Sequence, residues 1–253
     1  MSTFAFDLVP SQPPALGLIV LQTDEQIETD FRRLLPGHAA LHVSRVPSGR
    51  EVTAETLQEM EGHLTASARL LPQAREFDVV GYGCTSGSAQ IGPDVVAQRI
   101  RDGVSTRQVT NPVTSLIAAC AAQGLTRLAI LSPYIESVSN RLRTVLDDSG
   151  IATPVFGSFA EAEDAKVARI APHSIERATL DFARDADVDA VFISCTNLRA
   201  VEVTATLQRQ LDMPVLCSNL VLAWHMSVLA GVTPAMLGGG YDLPATLGNK
   251  SLT

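Results

Sequence analysis

Long apolar runs are missing from this chain: across 253 residues none approaches the roughly 20 that a bilayer-spanning helix needs. Its start, MSTFAFDLVPSQPP, has no basic segment leading into an apolar core, so it carries no sign of an export signal. Positive clusters are missing as well. With a formal net charge of -8, the chain lacks the grouped Lys and Arg that neutralise phosphates, which argues against a nucleic-acid partner. None of the four cysteines forms a Cys-x-x-Cys pair, and His38, His42, His63 and His173 show no ligand spacing, so no metal is expected. Gly238, Gly239 and Gly240 sit outside any strand-turn-helix frame, and the tail holding them reads as loosely ordered rather than as a dinucleotide site. Little charge (18%) beside much hydrophobic content (46%) argues for a folded globular chain. The expectation is a cytoplasmic protein with free thiols, away from membranes.

What the chain does have is an alternation of strand-like and helix-like segments along nearly its whole length. LGLIVL from Leu16 reads as a buried parallel strand, and Asp24 to Leu35 as the helix after it. ALHVSRV reads as a strand, Thr53 to Leu71 as one long helix capped by Thr53, and FDVVGYG as a strand. Pro93 to Arg101 reads as a helix, Arg107 to Thr110 as a short strand, and another helix starts at Pro112. The order then begins again. RLAILSP is a strand, Ile135 to Asp148 a helix and TPVFGSF a strand; an acidic loop leads to a helix from Pro172 to Ala186. VDAVFIS and MPVLCSN follow as strands, and Leu220 to Leu229 as a helix. Leu16 to Cys84 spans 68 positions and Leu128 to Cys195 spans 67, so the halves match as an internal duplication. Such alternation implies an α/β fold of two pseudo-symmetric Rossmann-like lobes with parallel sheets and the site in the cleft between them. The expected organisation is an N-terminal extension (1–15), a first lobe (16–124), a second lobe (125–231) and a tail (232–253), with chain ends free to cross between lobes.

Cys84 closes the strand in FDVVGYGCTSGS and Cys195 the one in VDAVFISCTNLRA, at the carboxyl ends where open α/β sheets place their ligands. Their equivalent places suggest two thiols facing one cleft, an arrangement that removes a proton from one face of a carbon and returns one to the other. Cys120, on an apolar helical stripe, and Cys217, inside a strand, read as core. The GCTSGS segment, with Thr85 and Ser86, reads as a loop able to hold an anion through its amides. Aligning the first strands of the halves sets Asp24 opposite Tyr134, and Asp24 doubles as a candidate helix cap. Thr196 and Asn197 flank the second thiol. Asn111 and Asn219 follow strands in matching halves, where helix capping competes with substrate orientation. His225, on an apolar helix, reads as a satisfied core histidine.

These residues carry a resemblance. GYGCTSGS and ISCTNLRA, in duplicated halves of this length, resemble the aspartate/glutamate racemase superfamily from Leu16 to about Gly231. The segments GLIVLQTDEQIE, LSPYIESV, DAKVARIAP and SCTNLRA are similar to its maleate cis-trans isomerase and arylmalonate decarboxylase branch, most of all to racemase-like proteins associated with ectoine utilisation. The resemblance implies catalysis by Cys84 and Cys195 without a cofactor. Arylmalonate decarboxylases keep only the second of these cysteines, so the presence of both favours an isomerase. Substrate contacts are implied for Asp24, Tyr134 and Asp164, the last placed in the acidic loop. Similar maleate isomerases carry Asn at the positions of Asp24 and Asp164; a carboxylate there repels a dianion and attracts an ammonium group. The expected activity is racemisation or epimerisation of a small carboxylate, an amino acid such as an ectoine-derived diamino acid. Alternatives are maleate-like cis-trans isomerisation through a covalent thioether, arylmalonate-type decarboxylation, or non-enzymatic carboxylate binding or thiol sensing. A symmetric homo-oligomer is expected.

Overall fold

The computed structural model describes residues 1–9, 12–35, 37, 39–233 and 243; His38, the three tail glycines and most of the tail lie outside them. The first half runs β1 (Ala15–Leu21), α1 (Ile27–Leu34), β2 (Ala40–Val46), α2 (Ala54–Glu59), α3 (Glu61–Ala68), β3 (Phe77–Gly83), α4 (Thr85–Ile91), α5 (Pro93–Arg101), β4 (Thr106–Thr110) and α6 (Pro112–Gln123). The second runs β5 (Arg127–Ser132), α7 (Glu136–Asp148), β6 (Ala152–Ser158), α8 (Asp164–Val167), α9 (Pro172–Ala183), β7 (Ala190–Ile193), α10 (Val201–Leu211), β8 (Val215–Cys217) and α11 (Ser218–Leu229). Two four-stranded sheets result, ordered β2-β1-β3-β4 and β6-β5-β7-β8, with every pairing parallel. The duplication is thus a duplication of topology.

The central strands are buried along their length, apart from Asp78 in β3 and Arg127 in β5, as continuous apolar runs in covered parallel sheets should be. Helices begin where proline fixes the first φ, at Pro93, Pro112 and Pro172. Left-handed glycines follow α6 at Gly124 (φ 71) and α7 at Gly150 (φ 78), where any side chain would be strained. Thr53 caps α2 through a reciprocal pair with Thr56. Three expectations need correcting. The long helix from Thr53 is two helices, because the bonding tightens at buried Met60, whose carbonyl accepts from His63 three residues on. The segment after Cys84 is helical from Thr85 rather than a loop, and α10 fills a stretch to which no element was assigned.

In each sheet the chain goes from the first strand outward to one neighbour and then crosses to the other side. The crevice between β1 and β3, and between β5 and β7, is therefore a topological switch point. Asp24 and Cys84 leave the first crevice; Tyr134 and Cys195 leave the second. The halves are joined by helices: α4 packs on α7, and α11, which follows β8, packs on α1, α6, β3 and β4. Fully buried Trp224 anchors α11 in this position. Among the described residues no helix is long and apolar enough to cross a membrane.

The close approach of α11 to β3 depends on Gly81, where a Cβ would lie 2.5 Å from Met226 Sδ. Gly81→Val is expected to cost about 1–3 kcal/mol in urea denaturation through overpacking. Adding Met226→Ala should recover part of that loss, a coupling that two independent sites would not show.

Candidate active site

At the end of β3 the chain turns directly into α4, and Cys84 becomes the helix cap. Its Sγ accepts the Gly87 N–H at 3.2 Å. Gly87 leaves room for that thiol: a Cβ there would sit 2.9 Å from Cys84 Sγ and 2.7 Å from the Tyr82 hydroxyl oxygen. Cys195 is held differently. It adopts φ 122, a region that non-glycine residues avoid and that costs about 1–3 kcal/mol. Its N–H donates to Ser218 Oγ at 3.0 Å, and its Sγ accepts the Asn197 N–H at 3.3 Å.

The two strand ends are tied to one another. Ser218 Oγ lies 2.7 Å from Thr85 Oγ1, and Thr196 Oγ1 donates to Gly83 O at 3.2 Å. Asn197 extends the link: its Oδ1 accepts from Glu25 N at 2.8 Å, and its Nδ2 donates to Asp164 O at 3.2 Å. Behind them Asn219 Nδ2 donates to buried Asp30 at 2.7 Å and to Thr196 O at 2.8 Å. These contacts gather Cys84, Cys195, Asp24, Tyr134, Asp164 and Asn197 around one cavity, with Thr85, Ser86 and Thr196 also in its wall. The free space is about 10 Å³, room for about one water molecule.

Loops from the two halves close this space from above. Val52 N–H donates to Ala162 O at 3.0 Å, Asp164 N–H to Arg50 O at 3.1 Å, and Glu51 bridges Glu163 in antiparallel fashion. Leu21, Val52 and Leu57 supply the aliphatic part of the lining.

The two acids differ in how their oxygens are used. Asp24 Oδ1 accepts the Gln26 and Ile27 amides, each at 2.8 Å, and so caps the start of α1. Its Oδ2 is buried with no hydrogen-bond partner among the described residues. Burial raises the Asp24 pKa from 3.8 to about 6, opposed by the Ile27 amide, the nearby Thr196 hydroxyl and the Gln26 amide. The Thr196 proton itself is directed to Gly83 O. Asp164 has both oxygens occupied, Oδ1 by the Tyr134 hydroxyl at 3.1 Å and Oδ2 by Thr23 Oγ1. Burial pushes the Cys84 thiol up to about 12 and Cys195 well above its usual value; an ionised Asp164 adds to both. Among the described residues no basic side chain lines the cavity.

One expected contact falls outside this group. Asn111 does not line the cavity: its Oδ1 accepts the Val113 and Thr114 amides at the start of α6, and its Nδ2 donates to Thr114 Oγ1, so capping uses the side chain. His225 is buried, bonded through Nδ1 to Thr110 Oγ1 at 2.8 Å, and lowered to about 4 by burial. Cys120 and Cys217 are buried outside the cavity. Ser218 and Thr23 were not singled out from the sequence. A signal existed for Ser218, since it stands beside Asn219 in the half-to-half match with Asn111.

The arylmalonate decarboxylase family profile matches residues 16–241. The maleate isomerase of Nocardia farcinica (strain IFM 10152) is 23% identical over 239 residues, covering 89% of this chain and 93% of the relative. The maleate isomerase Iso of Pseudomonas putida S16, solved as a variant with maleate, superposes with TM-score 0.78 at 21% identity, covering 90% of this chain and 98% of the other. A mutant of the Nocardia farcinica maleate cis-trans isomerase with a covalently bound succinylcysteine intermediate gives TM-score 0.76 at 19% identity, covering 87% and 94%. These structural likenesses establish a shared fold.

The raised Asp24 pKa has a consequence for stability. A proton held more tightly in the folded chain favours folding fully below about pH 4, and this contribution is lost as pH rises through about 6. Asp24→Asn, which keeps the capping oxygen, is expected to stabilise the protein at pH 8 by at most about 3 kcal/mol. Urea denaturation should show that gain shrinking toward zero as pH falls to about 4.

Proposed function

We propose that this chain, which belongs to the arylmalonate decarboxylase family, is a cofactor-independent isomerase. Its two thiols racemise or epimerise a small carboxylate that also bears an ammonium group. The observation that carries this reading is the buried, unpartnered Asp24 Oδ2 in a cavity whose described lining has two acids and no base. A dianion entering there would meet like charge in a low dielectric, whereas an ammonium group gives Oδ2 its missing partner.

In this reading Cys84 and Cys195 stand on opposite sides of the α-carbon. One thiolate takes the α-proton, and the other thiol delivers a proton to the opposite face. Two groups are needed because a single base tends to return its proton to the side it came from. The carbanion's charge is met by amides at the start of α4, which have no intrahelical acceptor. The hydroxyls of Thr85 and Thr196 serve the architecture instead, since both are engaged with protein atoms. An ectoine-derived diamino acid is the first substrate to test.

A second reading has its own support. The succinylcysteine intermediate of the Nocardia neighbour shows that this fold can host covalent attack by a cysteine. Here it would take the form of thiolate addition to a double bond, rotation about the resulting single bond, and expulsion of the thiolate.

In deuterated water the protein is expected to exchange the α-hydrogen of an amino-acid substrate, followed by NMR. Cys84→Ser and Cys195→Ser should each reduce racemisation by about 10²-fold or more. Asp24→Asn should raise KM for the ammonium-bearing substrate about tenfold or more, the loss of one charged hydrogen bond. Rapid loss of maleate absorbance with the wild type, and no α-hydrogen exchange, would transfer the assignment to the second reading.

A further inference from the structure

Asn219 matches Asn111 by its place in the duplicated halves, and like Asn111 it does not line the cavity. It is the second residue of α11 and 1% exposed, and its carbonyl Oδ1 is buried with no hydrogen-bond partner among the described residues. An unpaired buried oxygen costs stability, so the side chain is kept in this orientation by what its nitrogen does. Nδ2 has two protons and two acceptors: Asp30 Oδ2 at 2.7 Å and Thr196 O at 2.8 Å. Turning the amide over would set Oδ1 against both acceptors, so its orientation is fixed. Asp30 is fixed in turn. It is 0% exposed, and its other oxygen, Oδ1, accepts from Gln26 Nε2 at 2.8 Å.

The peptide unit joining Thr196 to Asn197 has one end on Asn219 and the other on sulfur. Its carbonyl accepts from Asn219, and its N–H donates to Cys195 Sγ at 3.3 Å. Thr196 and Asn197 form a turn directly after the strained Cys195. The central peptide of such a turn is free to rotate as a unit, which is how turn types I and II differ. The rotated form puts the third residue in the left-handed region, which Asn tolerates. Asn197 keeps a negative φ, so the unrotated form is the one present, although the local sequence permits both. Neighbouring side chains hold other atoms: Thr196 Oγ1 donates to Gly83 O, and the Asn197 amide group binds Glu25 N and Asp164 O.

We propose that Asn219 is a positioning residue for Cys195: anchored on Asp30, it holds the Thr196 carbonyl so that the Asn197 N–H stays aimed at sulfur. The bond counts when Cys195 delivers its proton and its sulfur is left charged in a space that water does not reach. A carbonyl that accepts from Asn219 also polarises its own N–H, which strengthens the donation at the far end. Cys84 needs no such support, because its donor, the Gly87 N–H, belongs to α4 and is oriented by that helix. The proposal rests on the reading above only in taking Cys195 as a reacting group, and it holds whichever thiol is ionised at rest.

The test is iodoacetamide alkylation of the full chain at one alkaline pH, resolved to Cys84 and Cys195 by peptide mass spectrometry, with urea denaturation run beside it. Both thiols line one cavity, so entry of the reagent affects both. The thiolate is the reacting form, and the ratio of the Cys195 rate to the Cys84 rate therefore reports the donors at each sulfur. Asn219→Leu should lower that ratio about tenfold, the worth of one hydrogen bond to a charged group. Asn111→Ala removes a helix cap outside the cavity, and it should reduce stability while leaving the ratio unchanged. An unchanged ratio in Asn219→Leu, or an equal fall in Asn111→Ala, would overturn the proposal. In a crystal structure of Asn219→Leu the Asn197 N–H should have left Cys195 Sγ, and its retention there would also overturn it.

Asn219→Leu leaves Asp30 a buried charge without one of its partners. Should it fail to fold for that reason, Asp30→Asn combined with Asn219→Leu removes the charge as well. The ratio in this double variant should lie about tenfold below that of Asp30→Asn alone, and equal ratios would overturn the proposal. A lowered ratio in a protein that exchanges no amino-acid α-hydrogen would uphold the positioning role and remove the substrate reading; exchange beside an unchanged ratio would do the opposite.

Discussion

Exclusion of water from the space between the two switch points governs the chemistry of this molecule. In that space ionised groups lose their hydration, and two thiols and a carboxylate are driven toward their protonated forms. The same loss of solvent strengthens every hydrogen bond that remains. A thiolate can then exist only where donors are already aimed at sulfur. The Gly87 amide supplies one such contact, and the Asn197 amide with the Tyr134 hydroxyl supplies two. Burial and preorganisation are here one device, since the first makes the second necessary.

Such a space requires the two halves to be fixed relative to each other, and α11 does much of that. It leaves the second sheet and packs on β3 and β4 of the first, with Gly81 bare of a side chain where they meet. Its first residue, Ser218, hydrogen-bonds to the Cys195 amide and to Thr85, so the helix that joins the halves also sets the backbone beside both thiols. The strained φ of Cys195 is sustained by this arrangement. Packing far from sulfur and position at sulfur are mechanically continuous.

Much of this architecture is legible in the amino-acid order alone. Alternating segments and the matched distances to Cys84 and Cys195 imply two parallel sheets, and the strand order of each half is the same. Asp24, Tyr134 and Asp164 meet at the cavity as the half-to-half alignment and the resemblance imply. The features that local sequence does not reveal are decided by contacts distant along the chain. The segment after Cys84 is rich in Gly and Ser and reads as a loop; it is a helix because it is buried against α7. Asn111 looks equivalent to Asn219, yet the first caps a helix with its own carbonyl while the second reaches Asp30 on α1. Local sequence cannot separate those fates. Nor can it reveal that Asp24 is cap and cavity wall at once, because that needs its two oxygens to be seen apart.

The covering loops meet through main-chain atoms, Val52 to Ala162 and Asp164 to Arg50. These are bonds that every amino acid except proline can make, so they hold whichever side chains the loops carry. The closure over the cavity and the chemistry within it are therefore set by different atoms. Side chains lining the cavity can be exchanged for others while the main-chain bonds that cover it stay in place.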